Sequence, residues 1–303
     1  MLMMMDYALL SALNAVVREG SFERASRALH VTPSAISQRI KLLEERMGTL
    51  LVVRGQPCRP TATGALVCRH MDQVHLLEHE LENRLPEAFA ASPDSATNRP
   101  TLRIAANADS VATWFVPVLG EFAIKHDILF ELTIDDQDHT AELLRSGMVQ
   151  AAVTTAAAPI QGCRSTRLGR MRFLATCSPA FHRRYFASGL TRGAFANAPC
   201  LVFNAKDQLQ RTFIRRLLRT EIEVPTHWLP STHGFVDACI GGMGWALNPE
   251  VLVREHLEKA TLIEVAPKRD FHLELHWQCW KMSSSTFDGL TRAVVTAARA
   301  KLR

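Results

Sequence analysis

Over the first 85 positions apolar residues recur with helical spacing, and beyond position 100 the rhythm changes to alternating strands and helices. Leu9, Leu10, Leu13, Val16 and Val17 turn one face of a first helix, residues 7–18, toward a core, and Gly20 stops it. Ser21 caps a second helix, residues 22–29, with Phe22, Ala25 and Leu29 facing inward. After the turn His30-Val31, Thr32 stands where a third helix needs its cap. Pro33 takes the first helical position, where a missing N–H costs nothing. Ile36, Ile40, Leu43 and Met47 repeat at four, three and four residues and share one face. The opposite face carries Pro33, Ser34, Ser37, Gln38 and Lys41, with Arg39 at its edge. Such a helix keeps one side in a core and offers the other to a polar, anionic partner.

Two helices joined this tightly, with small Ala25 and Ala28 allowing close approach, predict a helix-turn-helix. The apolar run Leu50-Leu51-Val52-Val53, ending in two β-branched valines, a turn through Gly55 and Pro57, and Arg59-Pro60 add a short hairpin, or wing, whose Arg54 and Arg59 can reach phosphates or a narrow minor groove. We assign residues 1–62 to this winged unit. A long polar helix follows over 63–87 with one apolar seam: Val67, Met71, Val74, Leu77 (or Leu76), Leu81 and Leu85. So narrow a stripe predicts pairing with a second copy, and two such units can read a two-fold DNA site. Proline, alanine and serine crowd residues 86–100, and 88–100 is taken as the hinge.

Strands are predicted over 101–106, 128–134 and 149–154, with helices over 110–125 and 140–146 between them. A second set places strands at 173–176, 201–203, 226–229, 262–265 and 272–281, helices at 208–219 and 235–240, and a last helix through 300. This is the alternation of an α/β domain, with ligands expected at strand C-termini between two lobes.

Composition adds a partner class and removes others. The 303 residues are 47% hydrophobic and 21% charged with a net charge of +5, an ordinary globular balance. Eight bases face five acids within residues 1–60, so positive charge gathers where the helix-turn-helix lies. Seven scattered cysteines without a CxxC pair fit reduced thiols, and we expect a cytoplasmic location with no leader peptide. No run approaches about 18 apolar residues, so no membrane partner is expected.

The stretch from Ala25-Ser26-Arg27-Ala28-Leu29 through Thr32-Pro33-Ser34-Ala35-Ile36-Ser37-Gln38-Arg39, followed by Pro60-Thr61-Ala62-Thr63-Gly64, resembles the LysR-type transcriptional regulators. The resemblance implies a winged helix-turn-helix, a dimerising linker helix and a two-lobed, periplasmic-binding-protein-like effector domain over 101–303. Lobe I would then hold about 101–167 and 273–303, and lobe II about 168–272. It also implies double-stranded operator DNA as partner, homodimers that pair into tetramers, RNA polymerase at the promoter, and no enzymatic activity. Phe22-Glu23-Arg24-Ala25 and Asn107-Ala108-Asp109-Ser110, with Ala112-Thr113-Trp114, are similar to the ArgP/LysG branch, whose members sense basic amino acids and activate export or metabolic genes. Pro33 stands where the family usually has Gln, and Asn204 where the branch favours an acid.

Candidate residues follow from these patterns. Ser37 and Gln38, with Pro33 and Ser34, face base edges, while Thr32, Lys41, Arg54 and Arg59 suit phosphates. Asn107, Ala108, Asp109 and Ser110 lie between a strand end and a helix start, where free N–H groups attract a carboxylate and Asp109 can hold an ammonium group. Asp136 and Asp207 can face a cationic side chain, Thr154 and Thr155 can add hydroxyls, and Phe203 lies nearby. The expected ligand is lysine or arginine, with no cofactor, catalytic residue or bound metal. His272, Glu274 and His276 alternate as metal ligands can, but half-buried strand residues explain them as well; Cys163 and Cys177 lack a thiolate setting. The rival from another class is a solute-binding or enzymatic α/β protein whose N-terminal helices only dimerise.

Overall fold

A computed structural model describes residues 6–85, 87, 99–134 and 140–302. The N-terminal unit packs α1 (Tyr7–Glu19), α2 (Phe22–Ala28) and α3 (Pro33–Met47) around Leu10, Leu13, Ile36, Ile40 and Leu43. Caps work as their residues suggest: the Ser21 hydroxyl accepts from the Arg24 N–H, the Thr32 hydroxyl accepts from the Ala35 N–H at 3.2 Å, and Gly48 ends α3 in the left-handed region. The wing pairs β1 (Val52–Val53) with β2 (Arg59–Pro60). Glu44 ties it to α3, its carboxylate accepting the Leu51 N–H at 2.8 Å and the Val52 N–H at 3.3 Å.

Helix α4 (Ala62–Arg84) begins under the wing, where the Thr61 hydroxyl accepts from the Gly64 N–H and donates to the Leu50 carbonyl. The predicted dimer seam divides along this helix. Val67 and Met71 are spent on the core of the winged unit, so they are corrected from dimerisation to intramolecular packing. Leu76, the alternative to Leu77 in the seam, enters the core of the C-terminal domain. The apolar side chains left in the open are Leu66 at 58%, Leu77 at 47%, and Leu81 and Leu85 at 49% exposure; Val74 is half-buried. The correction has a physical source, because α4 must serve two cores with opposite faces at its two ends.

In the C-terminal domain β3 (Thr101–Ala106) runs parallel to both β4 (Leu129–Ile134) and β5 (Ala151–Thr154). One helical column, α5, links β3 to β4 in three pieces: Ala108–Ser110, a π-helical turn Val111–Phe115, and Val116–His126. Pro117 explains the π turn, since in a regular helix its ring would press on the Thr113 carbonyl. The sheet continues through two long strands, β6 (Cys163–Cys177) and β11 (Phe271–Trp280), paired from Cys163 opposite Trp280 to Phe173 opposite Phe271. The C-terminal part of β11 pairs with β5, and the outer end of β6 carries β9 (Ala246–Pro249) and β10 (Ile263–Glu264). Where the strands pass from one group to the other, Leu275 faces Gly169 and His276 faces Arg167, leaving Leu168 as a bulge. The short parallel pair β7 (Cys200–Val202) and β8 (Thr226–Trp228), with α10 (Thr232–Ile240), completes the second lobe.

Only residues 173–176 of β6 were predicted as strand. Arg164, Arg167, Arg170 and Arg172 interrupt its apolar pattern, and each finds a carboxylate on a neighbouring element: Asp288 for Arg164, Glu274 for Arg167 and Arg170, Glu250 and Asp270 for Arg172. Helix α10 starts at Thr232 under a Ser231 cap, three residues earlier than expected.

A Cβ on Gly64 would overlap the Leu51 carbonyl, so α4 approaches the wing only through this residue. Gly64→Ala should cost about 3 kcal/mol by forcing wing and helix apart. Gly48→Ala, strained only by its positive φ, should cost about 1 kcal/mol in chemical denaturation.

Candidate nucleic-acid interface and effector cleft

The polar face of α3 is open as the sequence suggests: Thr32, Pro33, Ser34, Gln38 and Lys41 are exposed and Ser37 is half-buried. Thr32 is already engaged, accepting from Ala35 and lying 3.0 Å from the Ser34 hydroxyl, so it shapes the helix start. The Gln38 side chain is exposed, and its amide can offer both a donor and an acceptor to a base edge. Lys41 makes only a loose contact with Glu45, 3.7 Å away on the exposed surface, which a phosphate can replace. Arg54 lies over the Phe22 ring, at the start of α2, at 5.2 Å, and Arg59 is exposed on the second wing strand. A half-buried aromatic thus orients the wing cation, a role the sequence did not reveal for Phe22.

The second site lies between the lobes. Asn107, Ala108 and Asp109, at the start of α5, face Phe203, Asn204, Asp207 and Leu209 from the second lobe, with Thr232, Phe235 and Leu247 closing the space. The cleft is partly open to solvent, and its inner space of about 40 Å³ has room for a few waters. The Thr232 hydroxyl donates to the Asp109 carboxylate at 3.0 Å, a bond from one lobe to the other. Burial pushes the Asp109 carboxyl up to about 7; the Asp207 carboxylate adds to the rise and the Thr232 bond opposes it. Asp109 as a residue is half-buried, but its carboxyl group is enclosed by both lobes. Asp207 is a cap as well as a charge, its two oxygens accepting the Phe203 N–H at 3.1 Å and the Leu209 N–H at 2.9 Å. Both polar atoms of the buried Asn107 amide, and the Ser110 hydroxyl behind it, lack protein partners among the described residues.

Five of the expected effector residues therefore meet in one cavity: Asn107, Ala108, Asp109, Phe203 and Asp207. Ser110 is fully buried at the base of α5, and neither Thr154 nor Thr155 is part of the cavity lining. Thr154 instead ends β5 opposite His276, so its position serves the sheet. Asp136 lies outside the described residues. Thr232 was missed, although the run Ser231-Thr232-His233-Gly234 carries the same strand-to-helix signal as Asn107-Ala108-Asp109-Ser110. Of the weaker candidates, Glu274 is held by Arg167 and Arg170, and no metal-ligand group of three appears among the described residues. Burial pushes the Cys177 thiol up to about 12 and raises that of Cys163, the reverse of a reactive thiolate.

An exposed, capped helix face beside an arginine-bearing wing, joined to a two-lobed cleft domain, defines an effector-dependent DNA-binding regulator. Residues 7–65 match the family model for bacterial regulatory helix-turn-helix proteins of the lysR family, and residues 95–300 match the LysR substrate binding domain. The chain belongs to the LysR family, and the relatives it matches are transcriptional regulators. It is 43% identical to the transcriptional regulator LysG of Mycobacterium tuberculosis over 297 residues, 97% of this chain and 94% of that one. It superposes on the crystal structure of ArgP from Mycobacterium tuberculosis with a TM-score of 0.81 and 42% identity, covering 99% of each chain. The full-length LysG of Corynebacterium glutamicum with bound effector Arg gives a TM-score of 0.74 at 35% identity, over 99% of this chain and 100% of that one.

Because the folded-state pKa of Asp109 lies above its ordinary value of 3.8, folding opposes ionisation of this group. Its contribution is harmless below about pH 4, worsens as pH rises toward 7, and stays unfavourable above. Asp109→Asn should raise the melting temperature of the ligand-free protein at pH 8, on the order of 5 °C, with the gain fading toward pH 4.

Proposed function

We propose that this protein is a cytoplasmic LysR-type regulator whose operator binding or promoter activation is set by a basic amino acid, arginine or lysine, held between the lobes. It would control genes of amino-acid export or metabolism. The carrying observation is the cleft itself: Asp109, enclosed beside Asp207 and bonded to Thr232 across the lobes, next to an Asn107 amide without a protein partner. A cationic amino acid fits these groups. Its ammonium or guanidinium neutralises Asp109 and Asp207, and its carboxylate suits the N-terminal end of α5 or of α10. The arginine bound by the Corynebacterium glutamicum relative supports the same chemistry here.

Arginine held against Asp109 lies where the Thr232–Asp109 bond now crosses the cleft, so its entry opens that bond and parts the lobes. The Leu168 bulge in the connecting strands is the natural pivot. On the DNA side, Ser34, Ser37 and Gln38 read bases while Lys41, Arg54 and Arg59 hold phosphates, with Thr32 and Pro33 setting the helix start. Pro33 brings no donor, which shifts specificity onto its neighbours and onto DNA shape. The exposed Leu66, Leu77, Leu81 and Leu85 favour a second copy along α4, with paired dimers forming a tetramer and RNA polymerase as the partner at the promoter.

Calorimetric titration of the full-length protein with L-arginine and L-lysine should show saturable binding to at least one. Affinity should rise from pH 6 to pH 8 as Asp109 ionises; no heat from either ligand would remove the reading. In DNA titrations at several salt concentrations, Gln38→Ala should lose about 1–3 kcal/mol on operator DNA alone. Lys41→Ala should weaken all duplexes and lower the salt slope by about 1.

A further inference from the structure

Helix α4 has a docked face as well as an open one. Arg69 lies over the Trp280 ring at 4.8 Å, Leu76 enters the C-terminal core, and the His79 ring contacts the His126 carbonyl at 3.2 Å. The Glu80 carboxylate accepts from the Ser284 hydroxyl and the Thr286 N–H, capping α12 (Ser285–Lys301); those bonds hold its carboxyl below the usual range despite burial. At the centre of this face is Asp72. One of its oxygens accepts from the Arg103 guanidinium of β3, and the other from the Asn14 amide of α1 at 3.4 Å. The Asp72 and Arg103 side chains are only 9% and 12% exposed, so the pair is largely shielded from water.

Three parts of the molecule thus meet on one carboxylate. Asn14 lies on α1, which packs with α3 in the core of the DNA-binding unit. Arg103 lies four residues before Asn107, on the strand that runs into the cleft. Its N–H donates to the Gln150 side chain at 2.8 Å, and its carbonyl accepts the Gln150 N–H at 2.8 Å. A backbone pinned on both sides does not absorb a displacement of β3 locally. We infer that Asp72 is a positioning residue that carries effector occupancy from β3 to α1, and through α1 to the reading helix. The inference rests on the effector reading of the cleft. Its logic is electrostatic: a shielded carboxylate shared by two donors moves with both or leaves one unpaired.

Spatial continuity alone does not establish coupling, which is a measured free energy and is reciprocal between sites. The test uses full-length protein, L-arginine, and an operator fragment recovered from genomic DNA on the wild type. Asn14→Leu removes the amide at nearly constant volume and touches neither the DNA face nor the cleft. Arginine affinity without DNA, and operator affinity without arginine, should each stay within about threefold of wild type. The arginine-dependent change in operator affinity, about 5–150-fold for typical allosteric coupling, should fall below about twofold. The reciprocal effect of operator on arginine affinity should fall equally. Asp72→Asn should behave alike; should it fail to fold with Arg103 left unpaired, Asn14→Leu still decides. Wild-type coupling in Asn14→Leu would overturn the inference, and so would loss of arginine affinity in the absence of DNA. A wild-type protein that ignores both arginine and lysine would instead overturn the reading of the cleft.

Discussion

Helix α4 belongs to two hydrophobic cores, and the arrangement of the molecule depends on that shared membership. Val67 and Met71 at one end complete the winged unit, and Leu76 anchors the middle of the helix in the C-terminal domain. Among and beyond these anchors, Arg69, Asp72, His79 and Glu80 fix the helix to strands and to helix ends through contacts that depend on direction. Apolar burial supplies adhesion without orientation; the charged and capped contacts supply the orientation. The leftover leucines then project away from both domains, where a second copy can meet them.

The cleft shows the opposite economy. An enclosed Asp109 beside Asp207 weakens the ligand-free state, and its bond to Thr232 compensates only in part. A site that is uncomfortable when empty responds strongly to a cation that relieves it. The Asn107 amide adds to this, because an unpartnered buried amide favours any ligand that completes its hydrogen bonds. Stability is given up where response is gained, and the long paired strands β6 and β11 keep the cost local by holding the lobes together through ten opposed residue pairs.

Much of this was legible in the chain. The period of Ile36, Ile40 and Leu43 places the reading helix, and Thr32 and Gly48 mark its ends, because capping is a local matter of a few adjacent residues. Asn107-Ala108-Asp109 was legible for the same reason, as a strand end meeting a helix start. What escaped is what depends on distant partners. The arginines of β6 disguise a strand because their carboxylates come from residues some 80 to 125 positions away. Val67 and Met71 look like dimer contacts until the winged unit claims them. Thr232 matters only because the fold brings it to Asp109, 123 positions earlier in the chain.

Occupancy of this cleft by a basic amino acid should change which DNA the protein holds. Selection of genomic fragments on the full-length protein, with and without L-arginine or L-lysine, measures this most directly. Recovery of a small set of fragments should shift with one of the two amino acids, including regions upstream of amino-acid export or metabolic genes. Recovery of the same fragments in the same proportions with and without both ligands would contradict it.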